Sequence, residues 1–347
     1  MATSTSIENA ETSQFSVPEG AIPDTIVADI ERVGRILSEA RSAVNQVIMG
    51  IDRVVEDTLV TLLSGGHVLL IGVPGLGKTK LVSTLGVVFG LDERRIQCTP
   101  DLMPADILGS EVLEESDKGK RSFRFIEGPV FCQLLMADEI NRASPRTQSA
   151  LLQAMQEQRI SVAGKYHDLP SPFHVLATQN PLEQEGTYPL PEAQLDRFFM
   201  QIDVGYPDAD AERRVLIDTT GAIEAKPTAV MSAEDLMAAQ RLVRHVPVGN
   251  NVVEAILKLV RSGRPESSDL DSVRQHVSWG PGPRASQALM LGVRARAVLD
   301  NRLAPNVDDV LALAHPILRH RMALNFGARA EGIGLSQIID QLCETIA

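Results

Sequence analysis

One short segment constrains this chain more than any other. Residues 72–79 read Gly-Val-Pro-Gly-Leu-Gly-Lys-Thr and match the pattern GxxxxGK[ST]. They follow the apolar run 67–71, which is too brief for a helix and predicts a buried parallel strand. They precede segment 78–88, which has helical spacing. A chance match in a glycine-rich turn would lack this context, so the segment predicts a phosphate-binding loop.

The chemistry of such a loop predicts ATP and Mg²⁺ as cofactors. Its glycines let the backbone curl, so that N–H groups point at phosphate oxygens beside the positive end of a helix dipole. We expect Lys78 to contact the β- and γ-phosphates and the Thr79 hydroxyl to bind Mg²⁺. The candidate binding residues are Gly72, Val73, Pro74, Gly75, Leu76, Gly77, Lys78, Thr79 and Lys80.

A second apolar run, 131–137, ends in the carboxylates Asp138 and Glu139. The carboxyl ends of parallel strands form the edge of a sheet where nucleotides bind. We therefore expect Asp138 to organise Mg²⁺ and Glu139 to orient and activate the attacking water. The alternative is a pair of solvated acids that cap a strand, but a phosphate loop in the same domain favours the catalytic interpretation.

The periodicity of the chain predicts an α/β core followed by a helical lid. Strands alternating with helices around a phosphate loop indicate a doubly wound parallel sheet flanked by helices, over residues 26–206. From 207 to 347 helical spacing dominates and predicts an all-α lid, whereas 1–25 is predicted to be a disordered tail. The expected strands are 67–71, 95–98, 131–137, 174–177 and 198–204, the core helices 26–48, 54–63, 78–88 and 145–156, and the hairpin inserts about 110–127 and 157–170.

Composition excludes several classes of protein. The formal net charge of −12 does not suit a protein that coats nucleic acid or an anionic membrane. The cysteines lie far apart without CxxC spacing, which predicts reduced thiols in the cytoplasm. The chain shows no apolar signal segment and no run of roughly 18 apolar residues, so we expect no stable membrane insertion.

Several segments around these motifs are similar to one family. They are DEINRA (138–143), PRTQ (145–148), ALLQAM (150–155), ATQNP (177–181), EQEGTYPLPEAQLDRF (183–198) and HPILRHR (315–321). From about residue 47 to the C-terminus the chain resembles the MoxR family of AAA+ ATPases. The resemblance implies an AAA+ core with its lid. At 47–52 the chain departs from the Gly-Gln pair that is more usual in relatives, which leaves open how the adenine is bound.

The resemblance also implies roles for Asn180 and Arg197. Asn180 is similar to sensor 1, whose amide can bind the γ-phosphate and the attacking water; the alternative is an Asn-Pro turn. Arg197 is similar to the arginine finger that stabilises charge on the γ-phosphate of a neighbouring subunit. Spacing alone would instead favour a surface arginine paired with Asp196 or Glu192.

Arg284 and the second hairpin complete the expected family features. Arg284 starts a lid helix and is similar to sensor 2, which would contact the γ-phosphate of its own chain and couple the lid angle to the nucleotide. A positive charge is disfavoured at a helix N-terminus unless an anion lies nearby. Hairpin 158–169 is similar to the helix-2 insert, which reaches the ring pore or a partner, although an ordinary solvated hairpin is the alternative.

The function implied by the resemblance is that of a ring ATPase, expected to be a hexamer. It would convert ATP and water to ADP and phosphate, and would remodel, activate or assist cofactor maturation of a client protein. Its expected partner carries a von Willebrand factor A domain. One alternative is a DNA-translocating or DNA-opening motor, but it requires a basic hairpin and a basic face. Another is a monomeric nucleotide switch, which would leave Arg197 without a role.

Overall fold

The computed structural model describes residues 24–115, 121–183, 185–221 and 225–346. The predicted N-terminal tail, apart from residues 24 and 25, and the turn 116–120 of the first hairpin lie outside these ranges. Helices and strands are numbered below in chain order.

A five-stranded sheet in the order β2-β5-β8-β1-β9 forms the centre of the core. Every strand pair in it is parallel. Ile71 pairs with Gln179 on one side and Asp203 on the other, and Gln97 pairs with Asp138, so the carboxyl ends are level. The strands are β1 (Val68–Ile71), β2 (Glu93–Gln97), β5 (Leu134–Asp138), β8 (His174–Gln179) and β9 (Met200–Asp203).

Helices and two hairpins surround this sheet, and the predicted α/β fold class is confirmed. The serine at 144 caps α5 and a proline fills its first turn, as expected for a helix start. The helices are α1 (Asp24–Val47), α2 (Asp52–Leu63), α3 (Lys78–Val88), α4 (Pro104–Leu108), α5 (Pro145–Glu157) and α6 (Glu192–Leu195). The hairpins are β3 (Gly109–Glu115) with β4 (Arg121–Glu127), and β6 (Arg159–Val162) with β7 (Lys165–Asp168).

All five predicted strands differ from the observed strands by one to three residues at one or both ends, and two of these differences have a clear cause. The strand predicted at 131–137 begins only at Leu134, because Phe131 and Cys132 donate to carbonyls of a preceding turn. The strand predicted at 95–98 runs over 93–97; its first three residues are charged, and Arg94 and Arg95 are exposed because the strand lies at the sheet edge. A polar edge strand gives a weak apolar signal, which explains the offset.

After β9 the described chain is helical except for a small two-stranded sheet. The prediction of an all-α lid missed this sheet because its strands are too short to show a period. The helices are α7 (Ala209–Thr220), α8 (Ala233–His245), α9 (Asn250–Ser262), α10 (Asp271–His276), α11 (Pro283–Leu299), α12 (Val307–Leu318), α13 (Phe326–Ala330) and α14 (Leu335–Glu344), and the strands are β10 (Val277–Trp279) and β11 (Ala323–Leu324). Among the described residues, none of the helices is both long and apolar enough to span a membrane.

The lid shares its hydrophobic core with the first helices of the chain. One cluster of buried side chains runs from α1, α2 and α3 into α8, α9, α11 and α12. Ion pairs also join these helices. Arg296 of α11 lies 2.7 Å from Glu56 of α2 and 3.2 Å from Asp309 of α12. The boundary near residue 206 therefore marks a change of secondary structure, while the packing continues across it. As a domain boundary it stays a prediction.

Two buried histidines, His67 and His174, lie at the amino edge of the sheet. His67 donates from Nε2 to the Met155 carbonyl at 3.1 Å and accepts from the Val175 N–H at 3.0 Å. His174 contacts the Gly66 carbonyl at 2.8 Å through Nδ1. Burial lowers the pKa of His67 to about 3 and that of His174 to about 4. Both rings are therefore neutral in the folded protein at neutral pH.

Because His67 and His174 are buried in the neutral form, we expect the protein to lose stability in acid. Unfolded histidines take up protons near pH 6.5, whereas the folded ones do not, so stability falls as the pH drops from 6.5 towards 4. At pH 5 the loss is about 2 kcal/mol for each histidine. Denaturant unfolding at several pH values should give a shallower slope of unfolding free energy for His67→Gln than for wild type.

The matched control is His245→Gln, because His245 is exposed. Burial raises the pKa of Asp57 to about 6, so Asp57 contributes a slope of opposite sign in all these variants and cancels in the comparison. Equal slopes for wild type and His67→Gln would contradict the assignment of the neutral buried ring.

Candidate nucleotide-binding site

Segment 72–79 forms a curled loop between β1 and α3. Gly75 and Gly77 have φ values of 87° and 74°, in the left-handed region, and no atom occupies the space of a Cβ at either position. Glycine is thus required there by backbone conformation and not by crowding. The Lys78 side chain is buried and its ammonium donates to the carbonyls of Gly72 and, at 3.2 Å, Val73. The lysine therefore lies inside the loop, where phosphates would bind.

The electrostatic environment of Lys78 links this loop to the next strand. Burial lowers the pKa of Lys78, and the nearby charges of Asp138 and Glu139 oppose that shift. A bound phosphate chain would add negative charge at the same place and favour the ammonium form further.

Asp138, the last residue of β5, is held by two side chains. Its Oδ1 accepts a hydrogen bond from the Thr178 hydroxyl at 2.5 Å, and its Oδ2 lies 2.6 Å from Arg95. The same Thr178 oxygen accepts from the Glu139 N–H at 2.8 Å. Glu139 has a φ of 55°, which is rare outside glycine and is found at functional sites. One buried threonine therefore fixes the positions of both predicted carboxylates.

The Glu139 carboxylate lies between two donors. Its Oε2 accepts from Gln97 at 2.8 Å and from Arg142 at 3.0 Å. Gln97 ends the neighbouring strand β2, and Arg142 lies one turn further along the chain. These donors hold the side chain of Glu139, which lines the cavity described next.

Asn180 lies at the end of β8, beside these groups, and is almost fully buried. Its Oδ1 accepts from the Leu182 N–H at 3.1 Å, which is the side-chain turn that an Asn-Pro sequence favours. Asn180 also lines the same cavity as the loop and the carboxylates. The Asn-Pro turn and a role as sensor 1 are therefore compatible with each other. The cavity is lined by Pro74, Gly75, Gly77, Lys78, Thr79, Lys80, Arg95, Gln97, Asp138, Glu139, Thr178 and Asn180.

The donor set of this cavity fits Mg²⁺. Thr79 and Asp138 both face the cavity and offer a hydroxyl and a carboxylate, the oxygen ligands that this hard cation prefers. Few protein ligands suffice, because Mg²⁺ usually takes its remaining ligands from phosphates and water.

An apolar pocket adjoins the phosphate cavity. Gly75, Gly77 and Lys80 line both. The rest of the pocket is mostly apolar, as expected for a site that takes a flat aromatic base. Residues of the segment 47–52 supply much of this wall. The further lining residues include Gln46, Val47, Ile48, Met49, Ile51, Leu76, Pro207 and Val215.

Arg197 and Arg284 line a different cleft, together with Gly65, Gly66 and His67. Those three residues precede β1, whereas the phosphate loop follows it, so the cleft lies at the opposite edge of the sheet. The four residues of β1 alone separate the two edges by roughly 13 Å.

The structure places Arg284 outside the phosphate cavity of its own chain, whereas the resemblance implies a contact with the phosphates there. Arg284 lies 3.3 Å from Asp196 and is absent from the residues that line the phosphate cavity. Asp196 is also 2.7 Å from Arg321, so it is not the partner of Arg197 that spacing suggested. Within the described part of the chain, no ion pair joins Arg197 to Asp196 or Glu192.

Sequence reasoning missed Arg95, Gln97, Thr178 and Arg142. Position is the signal that could have found two of them, since Gln97 and Thr178 lie at the carboxyl ends of strands that flank β5. Arg95 lies two residues before Gln97 on the same face of β2, and nothing local to this charged edge strand distinguishes Arg95 from a solvent-exposed arginine.

Replacing Thr178 tests how much the site depends on this buried hydroxyl. Thr178→Val keeps the shape but leaves the Glu139 N–H unpaired and Asp138 less well oriented, which is expected to destabilise the fold by about 1–3 kcal/mol. We expect turnover to fall about tenfold and to need more Mg²⁺ for saturation. The measurement is ATP turnover during an Mg²⁺ titration.

The matched control is Thr61→Val. Thr61 is also fully buried, but its hydroxyl bonds only to the Asp57 carbonyl in the preceding helical turn. It should leave the Mg²⁺ dependence unchanged. The same Mg²⁺ dependence for both variants would show that Thr178 has no special role in the site.

Comparison with known proteins assigns the chain to a family. Residues 67–200 match the family described as "ATPase family associated with various cellular activities (AAA)", and 271–342 match an AAA lid domain. The chain is 38% identical to Chaperone MoxR1 of Mycobacterium tuberculosis over 98% of this chain and 88% of that protein. It belongs to the MoxR family of AAA+ ATPases.

Other similarities agree with this assignment. Protein MoxR of Paracoccus denitrificans is 31% identical over 89% of this chain and 95% of that protein. A crystal structure of a protein from Cytophaga hutchinsonii, described as a candidate ATPase, superposes with a TM-score of 0.84 at 36% identity, covering 92% of this chain and 97% of that one. In this MoxR-family chain the first matched segment contains the phosphate loop, both carboxylates, Asn180 and Arg197, and the second contains Arg284.

Proposed function

We propose that this MoxR-family chain binds ATP with Mg²⁺, hydrolyses it to ADP and phosphate, and uses the cycle to remodel or activate a partner protein. The observation that carries the proposal is the convergence of Lys78, Asp138, Glu139 and Asn180 in one cavity at the carboxyl edge of the sheet. Phosphoryl transfer depends on positioning and charge stabilisation, and these groups provide both.

Binding would use the loop and the adjoining apolar pocket together. The base would enter the pocket and the phosphates would follow residues 72–79, since Gly75, Gly77 and Lys80 line both spaces. Lys78 would exchange its loop carbonyls for β- and γ-phosphate oxygens. Thr79 and Asp138 would hold Mg²⁺, which neutralises charge on the phosphates when bound.

Glu139 is the proposed base for the attacking water. It lies immediately after the metal-binding carboxylate, and Gln97 and Arg142 restrict its side chain. Asn180 at the end of the next strand would orient the water and the γ-phosphate. This arrangement supports hydrolysis of the bound ATP and not only its binding.

We further propose that Arg197 and Arg284 act on the nucleotide of a neighbouring subunit. Both line a cleft at the edge of the sheet opposite the phosphate cavity of their own chain. Two arginines that face a γ-phosphate of the next subunit require an oligomer, for which a hexameric ring is the family expectation. In this proposal Arg284 acts on the nucleotide of the neighbouring subunit and not, as the resemblance implies, on the nucleotide of its own chain.

The client stays an inference from the family. The name of the relative Chaperone MoxR1 supports action on proteins, and a partner with a von Willebrand factor A domain remains the expected helper. The alternative of a DNA motor finds little support in the second hairpin, where Arg159 lies near Glu157 and stacks on Tyr166, and Lys165 pairs with Glu111. These cations are already partnered and do not form a basic face.

The test is ATP turnover per subunit measured against protein concentration, with the assembly state followed by light scattering. A site completed by a neighbour gives turnover that rises with concentration and levels off as rings form. Turnover that is independent of concentration, in a protein that stays monomeric with ATP, would favour the nucleotide switch and contradict the ring.

A further inference from the structure

Arg321, three residues after the end of α12 in the lid, makes an unusual set of contacts. Its side chain is almost fully buried, with 3% exposure. The guanidinium donates to the Asp196 carboxylate at 2.7 Å, to the Phe198 carbonyl at 2.7 Å and to the Phe199 carbonyl at 3.1 Å. A further bond to the Ile317 carbonyl, at 2.7 Å, fixes the guanidinium to its own helix. One lid side chain thus binds the chain on both sides of Arg197.

Other contacts complete this restraint. His320 bonds through Nε2 to the Phe198 carbonyl at 3.1 Å, and the Phe199 N–H donates to the His67 carbonyl at 2.8 Å. The Phe198 side chain is fully buried. Residues 196–199 are therefore held between the lid and the start of β1, and all four, Arg197 among them, line the cleft that also contains Arg284.

Asp196 extends the restraint to Arg284. Its Oδ1 is bound by Arg321, while its Oδ2 lies 3.3 Å from Arg284. Half of the Arg284 side chain is exposed, whereas Arg321 is enclosed. The buried arginine therefore anchors the carboxylate that orients the exposed arginine.

We propose that Arg321 is a positioning residue for hydrolysis in the neighbouring subunit: it sets the direction of Arg197 directly and that of Arg284 through Asp196. Arg321 does not reach the neighbour's nucleotide itself. A guanidinium suits this role because its planar fork can bind a carboxylate and two carbonyls at fixed angles, which a lysine ammonium cannot do. The inference rests on the proposed function, specifically on the action of Arg197 in trans.

The first test is Arg321→Lys, which keeps the charge and removes the fork. We expect ATP turnover to fall on the order of 100-fold, the size of effect that a displacement of about 1 Å produces at a catalytic group. Affinity for a fluorescent, non-hydrolysable ATP analogue should stay within about twofold of wild type, because the subunit's own phosphate cavity is untouched. Turnover equal to wild type would overturn the proposal.

Mixed rings separate positioning from a general structural defect. Arg321→Lys subunits have an intact phosphate cavity but a displaced Arg197, whereas Glu139→Gln subunits have an inactive cavity and an intact Arg197. Where the two meet in a mixed ring, one complete site forms, so mixing two poorly active proteins is expected to restore turnover. A folding defect, or a role of Arg321 in its own cavity, would give no restoration and would overturn the inference.

A parallel mixture shows which proposal has failed if restoration is absent. Arg197→Ala mixed with Glu139→Gln should also regain turnover if Arg197 acts in trans. If that mixture is inactive, the proposed trans mechanism is wrong; if it is active and the Arg321→Lys mixture is not, only the role of Arg321 is wrong.

Two further variants keep the test decisive. Asp196→Asn preserves the size of the side chain while removing the charge that both arginines bind. If Arg321→Lys does not fold, Asp196→Asn takes its place in the test, and the same loss of turnover and the same restoration in mixed rings are expected of it. Arg319→Lys is the matched control, because Arg319 lies two residues away and pairs with Asp203 at the other end of β9. It should keep wild-type turnover; an equal loss in Arg319→Lys would show that lid contacts in general, and not the Arg321 fork, are responsible.

Discussion

Replacement of Arg197 by alanine is expected to lower ATP turnover by about 10³-fold or more, the range for an arginine finger that acts on a γ-phosphate. The subunit's own phosphate cavity does not include Arg197, so its affinity for an ATP analogue should stay close to wild type. Turnover under saturating ATP and equilibrium binding of the analogue, measured on the same preparation, separate the two effects.

The matched control for Arg197→Ala is Arg213→Ala. Arg213 is an exposed residue of α7 that lines neither the phosphate cavity nor the cleft that contains Arg197. It should leave turnover unchanged. A loss of analogue binding in Arg197→Ala would place the arginine at its own nucleotide, and unchanged turnover would make it the surface arginine that spacing alone suggested.

The local motifs of the site could be read from the sequence because each depends on neighbouring residues. A strand, a glycine-rich turn and a helix are contiguous, so residues 72–79 were found with their geometry. Asp138 and Glu139 were found in the same way, at the end of a buried strand. Parallel pairing then places both motifs at one edge of the sheet, as the register confirms.

Features that depend on long-range contacts could not be predicted in this way. The Thr178 hydroxyl bonds to the Asp138 carboxylate and accepts from the Glu139 N–H across about 40 residues of chain, and the sequence gives no sign of these contacts without the strand order. The distance of Arg284 from the loop could not be predicted for a related reason, because it depends on how the lid packs on α1 and α2. Periodicity predicts that the lid helices exist but not where they dock.

The lid packing also changes how nucleotide-driven motion should be understood. A lid that hinges freely at residue 206 would share little core with the rest of the chain, yet α11 packs on α1 and α2 and is linked to α2 through Arg296 and Glu56. Contacts through Arg321 and Arg319 join the lid to both ends of β9. A change in lid position would therefore be conveyed to the segment that carries Arg197 and not only to the phosphate loop.

Replacement of Glu139 by glutamine is expected to produce the second large effect, a fall in turnover of about 10²–10⁴-fold, the usual contribution of a general base. Glutamine keeps the size of the side chain and can still accept from Gln97 or Arg142, so the cavity should retain its shape. ATP would then bind without being hydrolysed, and the protein should accumulate in the ATP-bound state.

The decisive measurement for Glu139→Gln is the identity of the nucleotide retained after gel filtration, alongside turnover. Retained ATP with turnover lost separates a missing base from a missing binding site, because a damaged site would retain neither ATP nor ADP. Glu192→Gln, an exposed glutamate on α6, is the control and should behave as wild type. If Glu139→Gln instead hydrolyses ATP at the wild-type rate, water must be activated by another group. Asn180 cannot fill that role because an amide is not a base at neutral pH, so the proposed assignment of the cavity would have to be abandoned.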